Sequence, residues 1–323
     1  MSGTYAIGKG GMAACACLAL AMCVISYIIY PVISYGGAPG ICLAAPSEWG
    51  IHPLLSWLLN TIIIGGISLG GFLLNNKYNF IHSTQPVLPA VFMLLAASNP
   101  WINESLSASV IMCAVNLGCL SILFSAYNSQ NATHEMFVIA TFIGLGSMFQ
   151  YAFIPMVIPF ILGANAMKIL RIKEVVAFLL GLVAPYWVAT GLGIVAPELY
   201  HMPEVSPIFG DYSRVADLFL LMLDLGIFSL IGIFTGISTG IRLYAGNAFV
   251  SAIHFTICMM GLTCVVFLVV DFNNMAAYIA TLYFTVAVQL AQACALWKMR
   301  HEWIVTAGVA LIGIAFFIAT IEW

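Results

Sequence analysis

The sequence predicts an all-α fold, a polytopic bundle of about eleven membrane-spanning helices. Three observations predict it. The 323 residues are 63% hydrophobic and 7% charged, with a mean hydropathy of +1.08; a soluble domain carries about 25% charged residues. Apolar runs long enough to cross roughly 30 Å of hydrocarbon recur along the chain. No segment sustains the alternation of a membrane β-barrel, and in lipid only helices and closed barrels satisfy their own backbone. The net charge of −3, with no Lys/Arg-rich run, excludes a phosphate-tracking nucleic-acid binder.

The first apolar run, 11–33, outlasts the roughly 7–15-residue core of a secretory signal and reads as a retained anchor. Further runs follow at 51–74, 85–98, 105–127, 135–150, 152–169, 174–195, 215–240, 247–270, 275–297 and 303–321. The third, fifth and sixth are short. The fifth and sixth form a pair near 135–170, either two full crossings or one re-entrant hairpin. All runs belong to one domain, residues 1–323, because the longest connections, 35–50 and 196–214, are Pro/Gly-rich and too short to fold alone. Trp49, Trp101, Trp297, Trp303 and Trp323 fall near run ends, where amphipathic rings suit the membrane interface.

Cations set the orientation. With a cytoplasmic amino terminus, Lys9, Lys77, Lys168, Arg171, Lys173, Arg242, Lys298 and Arg300 lie inside, and Arg214 alone lies outside. The acids Glu48, Glu104, Glu198, Glu204, Asp211, Asp271 and Glu322 fall outside. The expected topology is N-in, C-out. Asn103-Glu104-Ser105 matches a glycosylation acceptor, relevant only in a eukaryotic secretory membrane.

Buried polar residues are the candidates for function. VADLFLLMLDLGIF (215–228) carries Asp217 and Asp224 seven residues apart on one helix face. Asp217 suits an interfacial helix start, where the dipole favours an acid. Asp224, ten residues into the run, is expected roughly 13–15 Å deep. A charge there costs about 2.5–3.5 kcal/mol, so it must face the bundle interior and mark either a proton or substrate pathway or a structural hydrogen bond. Gly232, Gly236 and Gly240 follow at four-residue spacing and predict close helix packing. His254 sits too far along its run to pair with Asp224. Asn60, Asn116, Asn165, Gln289 and Gln292 read as interhelical glue. In MFQYAFIPMVIPF (148–160), Gln150 and Tyr151 join Pro155 and Pro159, and proline-interrupted segments free backbone groups for a ligand. KILRIKE offers Lys168, Arg171 and Lys173 to lipid headgroups. The nine cysteines contain no CxxC pair and read as packing residues, so no metal is expected.

Three stretches carry a resemblance: KYNFIHSTQPVLPAVFMLLAA, FIGLGSMFQYAFIPMVIPFIL and RIKEVVAFLLGLVAPYW, with Gly181-x-x-x-Pro185-Tyr186 in the last. From about residue 75 onward the chain resembles a family of uncharacterised multi-pass inner-membrane proteins of Gram-negative bacteria. The resemblance implies the bacterial inner membrane and carries no catalytic residues.

Three functions fit: a carrier or flippase-like protein for a small or lipid-linked substrate, a non-catalytic subunit of a membrane complex, or a transferase using polyprenyl-linked donors. The transferase would take its acid from Glu48, Asp211 or Asp217 and its cation from Arg214. The sequence leaves open whether the protein is an enzyme. GxxxxGK[ST], HExxH and haem-type cysteine motifs are missing. No cofactor is expected; the expected partners are membrane lipid and other membrane proteins, with no nucleic acid.

Overall fold

The computed structural model describes residues 9–29, 40–81, 86–201, 205, 207, 218–243, 246–297 and 302–321. Every regular element among them is helical, as a lipid-embedded backbone requires. The α-helices are α1 (Lys9–Ile29), α2 (Pro53–Tyr78), α3 (Val87–Ser98), α4 (Pro100–Asn103), α5 (Ala108–Ser125) and α6 (Thr133–Phe149). They continue as α7 (Val157–Ala166), α8 (Ile172–Gly191), α9 (Phe219–Leu243), α10 (Ala248–Val270), α11 (Met275–Leu296) and α12 (Glu302–Ile321). A 3₁₀ segment, Tyr151–Met156, leads directly into α7.

The chain is a helical membrane bundle. Among the described residues, eight helices are long and apolar enough to cross a membrane: α1, α2, α5 and α8 to α12. The expected third, fifth and sixth crossings are shorter than that. α3 has 12 residues and α6 has 17. At about 1.5 Å per residue α6 reaches about 25 Å, short of a roughly 30 Å core. Local chemistry stops the first two. Pro100 drives Asn99 out of helical geometry, to φ −108 and ψ 106. Gln150, at φ −153 and ψ 111, ends α6 before the proline-containing 3₁₀ segment.

Helix α11 is the axis of the bundle, buried along almost its whole length. It packs against α3, α5, α9 and α10. Outside that ring, α1, α2 and α12 lean on α3, while α7 covers α10. α6 and α8 share the most extensive helix–helix contact in the molecule.

The two ends of the bundle differ. Arg171 and Lys173 reach Gln130 and Asn131, Lys77 lies over the Tyr78 ring, and Arg242 lies over Trp297. Arg171 and Lys173 thus gather at one end, where Glu135 and Glu174 also lie, in the first turns of α6 and α8. The other end holds Asp271 and the loop after Gly40. There Leu43 N donates to the Met148 carbonyl at 2.9 Å and His201 N to the Ile41 carbonyl at 2.9 Å. This covers backbone oxygens that the end of α6 leaves open. Gly40 permits the approach, since a Cβ there would lie 2.1 Å from the Met148 oxygen.

Candidate functional site

Helix α9 spans Phe219–Leu243, and Asp224 lies about 7.5 Å along it. Packing shelters the residue, which is 4% exposed. Asp224 Oδ2 accepts a short hydrogen bond from the Tyr283 hydroxyl on α11. That hydroxyl accepts from Asn99 Nδ2 at 3.1 Å. Asn99 Oδ1 in turn accepts from Trp101 N at 3.0 Å, capping α4. The Phe228 ring, one turn beyond Asp224, stands edge-on to Tyr283 at 5.8 Å and 81°.

Asp224 Oδ1 has no hydrogen-bond partner among the described residues. Beside Asp224 is a cavity of about 10 Å³, lined by Asn99, Trp101, Leu221 and Thr320 among others. That space is close to what one water needs. An ionised Asp224 uses the phenol's proton, and a protonated one would carry its own proton on Oδ1.

Gln150 and Tyr151 come together with a different carboxylate. Asp271, at the junction of α10 and α11, is 1% exposed. Its Oδ1 accepts from the Tyr151 hydroxyl at 2.8 Å and its Oδ2 from the Tyr278 hydroxyl at 3.1 Å. Asn274 Nδ2 donates to Asp271 Oδ1 at 3.1 Å and also to Tyr151, while Gln150 Nε2 donates to Asn274 Oδ1 at 2.9 Å. The helix break thus docks onto the start of α11. A second cavity, about 60 Å³, lies between Gln150, Asn274, Ser107 and Trp101. Trp101 lines both this cavity and the one at Asp224.

The three glycines of α9 face α10 and α11, yet they do not close the seam. A groove of about 380 Å³ runs between α9 and α10, with α11 as its floor. Gly232, Gly236 and Gly240 line one wall, His254 and Cys258 the other, and Gln289 the floor. Its rim carries Ile233 and Ile237 of α9 and Phe255 and Leu262 of α10, all exposed on the outside of the bundle. His254 Nδ1 lies 2.7 Å from Gln292 Oε1, and its Nε2 lies 3.0 Å from the Gly236 carbonyl oxygen and 3.3 Å from Cys258 Sγ. His254 is thereby tied to α9 and α11, with no bond to Asp224.

Asp217 lies outside the described residues. Lys168, Arg171 and Lys173 are exposed on the connection into α8, where Arg171 and Lys173 also bind Gln130. Asn103 is 1% exposed and its amide donates to the Ala97 carbonyl at 2.8 Å, so the acceptor pattern is sealed inside the fold. Asn60 reaches the Ile102 carbonyl at 2.6 Å and Asn116 reaches Thr281 at 3.3 Å, each bridging two elements.

Sequence reasoning missed Tyr283, Asn99, Tyr278 and Asn274, and treated Asp271 as a loop acid. A signal for part of this set was present. Asn274, Tyr278, Thr281, Thr285, Gln289 and Gln292 recur every three or four residues, a polar stripe on an otherwise apolar helix.

No family model, curated protein or solved structure matches this chain.

Proposed function

We propose that this protein is a flippase-like carrier for a small or lipid-linked amphiphile. The observation that carries the reading is the layout of α9. One helix holds both the sheltered acid Asp224, bonded to Tyr283, and the glycine wall of a groove that opens on the outside of the bundle. Ser229, at one end of that groove, is five residues from Asp224, about 7.5 Å along the helix. Protonating Asp224 removes the charge that holds Tyr283, which loosens α9 against α11 beside the groove. A proton gradient would then drive movement of α9 and transfer of the bound molecule.

Eleven crossings with a cytoplasmic amino terminus belong to the same proposal. The gathering of Arg171 and Lys173 about Gln130 supports it, since cytoplasmic loops collect cations. A bacterial inner membrane belongs to the same proposal.

The test is reconstitution into liposomes with an imposed pH gradient. Asp224→Asn should abolish gradient-driven transfer of fluorescent lipid analogues while the protein still folds. Transfer that keeps its full gradient dependence in Asp224→Asn removes the carboxyl from the mechanism.

A second reading, a subunit of a membrane complex, is favoured by the outer face of α8. Leu179, Leu180, Val183, Trp187 and Val188 are exposed there around an apolar hollow of about 660 Å³. Co-purification of one partner at fixed stoichiometry, lost on Trp187→Ala, would favour this reading over the carrier.

A further inference from the structure

We infer that the groove between α9 and α10 binds a neutral lipid whose head is a hydroxyl, such as a long-chain alcohol. This inference rests on reading that groove as the carrier's binding site, and narrows the substrate class. Charge decides first. Among the described residues no Lys, Arg, Asp or Glu lines the groove, and both ring nitrogens of His254 are already engaged, Nδ1 by Gln292 and Nε2 by the Gly236 carbonyl. A phosphate or carboxylate head seated there would be buried with no lysine or arginine to meet it, which is heavily penalised.

Shape decides next. The groove, about 380 Å³, runs along α9 from Ser229 to Gly240, roughly 16 Å, which suits a single hydrocarbon chain. The rim residues Ile237 and Phe255 are apolar and exposed, so a chain enters sideways from the bilayer without crossing water.

The floor then supplies the head's partner. Gln289 is 5% exposed and its Nε2 donates to Cys258 Sγ at 3.5 Å, but its Oε1 accepts no hydrogen bond among the described residues. An amide oxygen facing an apolar groove without a partner costs free energy. A ligand hydroxyl satisfies it, with Ser229 at the same wall as a second polar contact. The glycines are what leave room. A Cβ at Gly232 would come within 3.0 Å of Gln289 Oε1, where the head is placed.

The full-length chain in nanodiscs, photolabelled with a diazirine analogue of hexadecanol, tests this. Labelling should fall within residues 229–262, with hexadecanol competing at least about tenfold better than hexadecyl phosphate or hexadecane. Gly236→Leu, which fills the groove, should remove labelling. Gln289→Leu, which keeps the volume but loses the amide, should weaken it by about two- to tenfold, the equivalent of one hydrogen bond. Equal competition by the phosphate, equal competition by the alkane, or unchanged labelling in Gln289→Leu overturns the inference. If Gly236→Leu does not fold, Gln289→Leu decides alone. Labelling without gradient-driven transfer would sink the carrier reading and leave the site standing; transfer of a phospholipid analogue without labelling would do the reverse.

Discussion

Two helix pairs in this molecule meet across glycines, with opposite results. Between α6 and α8, a Cβ at Gly144 would lie 2.6 Å from the Leu182 carbonyl oxygen, and one at Gly181 would lie 2.4 Å from that of Phe137. The backbones touch, and the seam is closed. Along α9, a Cβ at Gly236 would meet only the side-chain ends of Cys258 and Gln289, each at 3.2 Å, and one at Gly240 the His254 ring at 3.3 Å. There the seam stays open as a groove. The difference comes from the third helix. Val286 and Gln289 of α11 stand against the glycine face of α9, so the space that a close crossing would have consumed is held open. A stripe of small residues therefore announces room between helices, and the neighbours decide whether backbone or ligand fills it.

The sharpest way to break this contrast is Gly181→Ala. Its methyl group meets backbone, which cannot swing aside, and the expected loss is about 3 kcal/mol. Thermal unfolding in detergent should show a clearly lower midpoint; a midpoint matching the parent would mean that α6 and α8 are not in backbone contact. Tyr283→Phe should come next, at about 1–3 kcal/mol, because it removes the hydroxyl between Asp224 and Asn99 and strands both. Denaturant titration reads that loss, and no change would show that the α9–α11 seam does not depend on the phenol.

Gly236→Ala should have the smallest effect on stability. The atoms it meets are side-chain ends beside a cavity, not backbone, and alanine favours a helix over glycine by at most about 1 kcal/mol. Unfolding should show no loss, or a small gain. Equal losses for Gly181→Ala and Gly236→Ala would erase the distinction between a closed and an open seam.

Much of this fold was legible in the chain. The apolar runs marked every long helix, because a span needs about 20 apolar residues and few other folds tolerate them. Gln150 and Tyr151 stood out because polar residues beside prolines interrupt such a run. Their partner was not legible: Asp271 sits more than a hundred residues away and reads as an ordinary loop acid. Asp224 was marked as sheltered by its solvation cost, and it is buried. Tyr283 went unmarked because tyrosine in a membrane segment raises no alarm by composition.

Sequence alone determined that helices carry this chain through lipid, where they break, and that an ionisable group at residue 224 must be hidden from hydrocarbon. These follow from solvation, which acts on each residue whatever its distant neighbours. Tertiary structure alone decided that Asp224 meets Tyr283, that Asp271 holds the broken segment, and that three glycines border a groove. Those outcomes depend on which side chains of α11 project between its neighbours, and packing at that scale is settled only when the helices assemble.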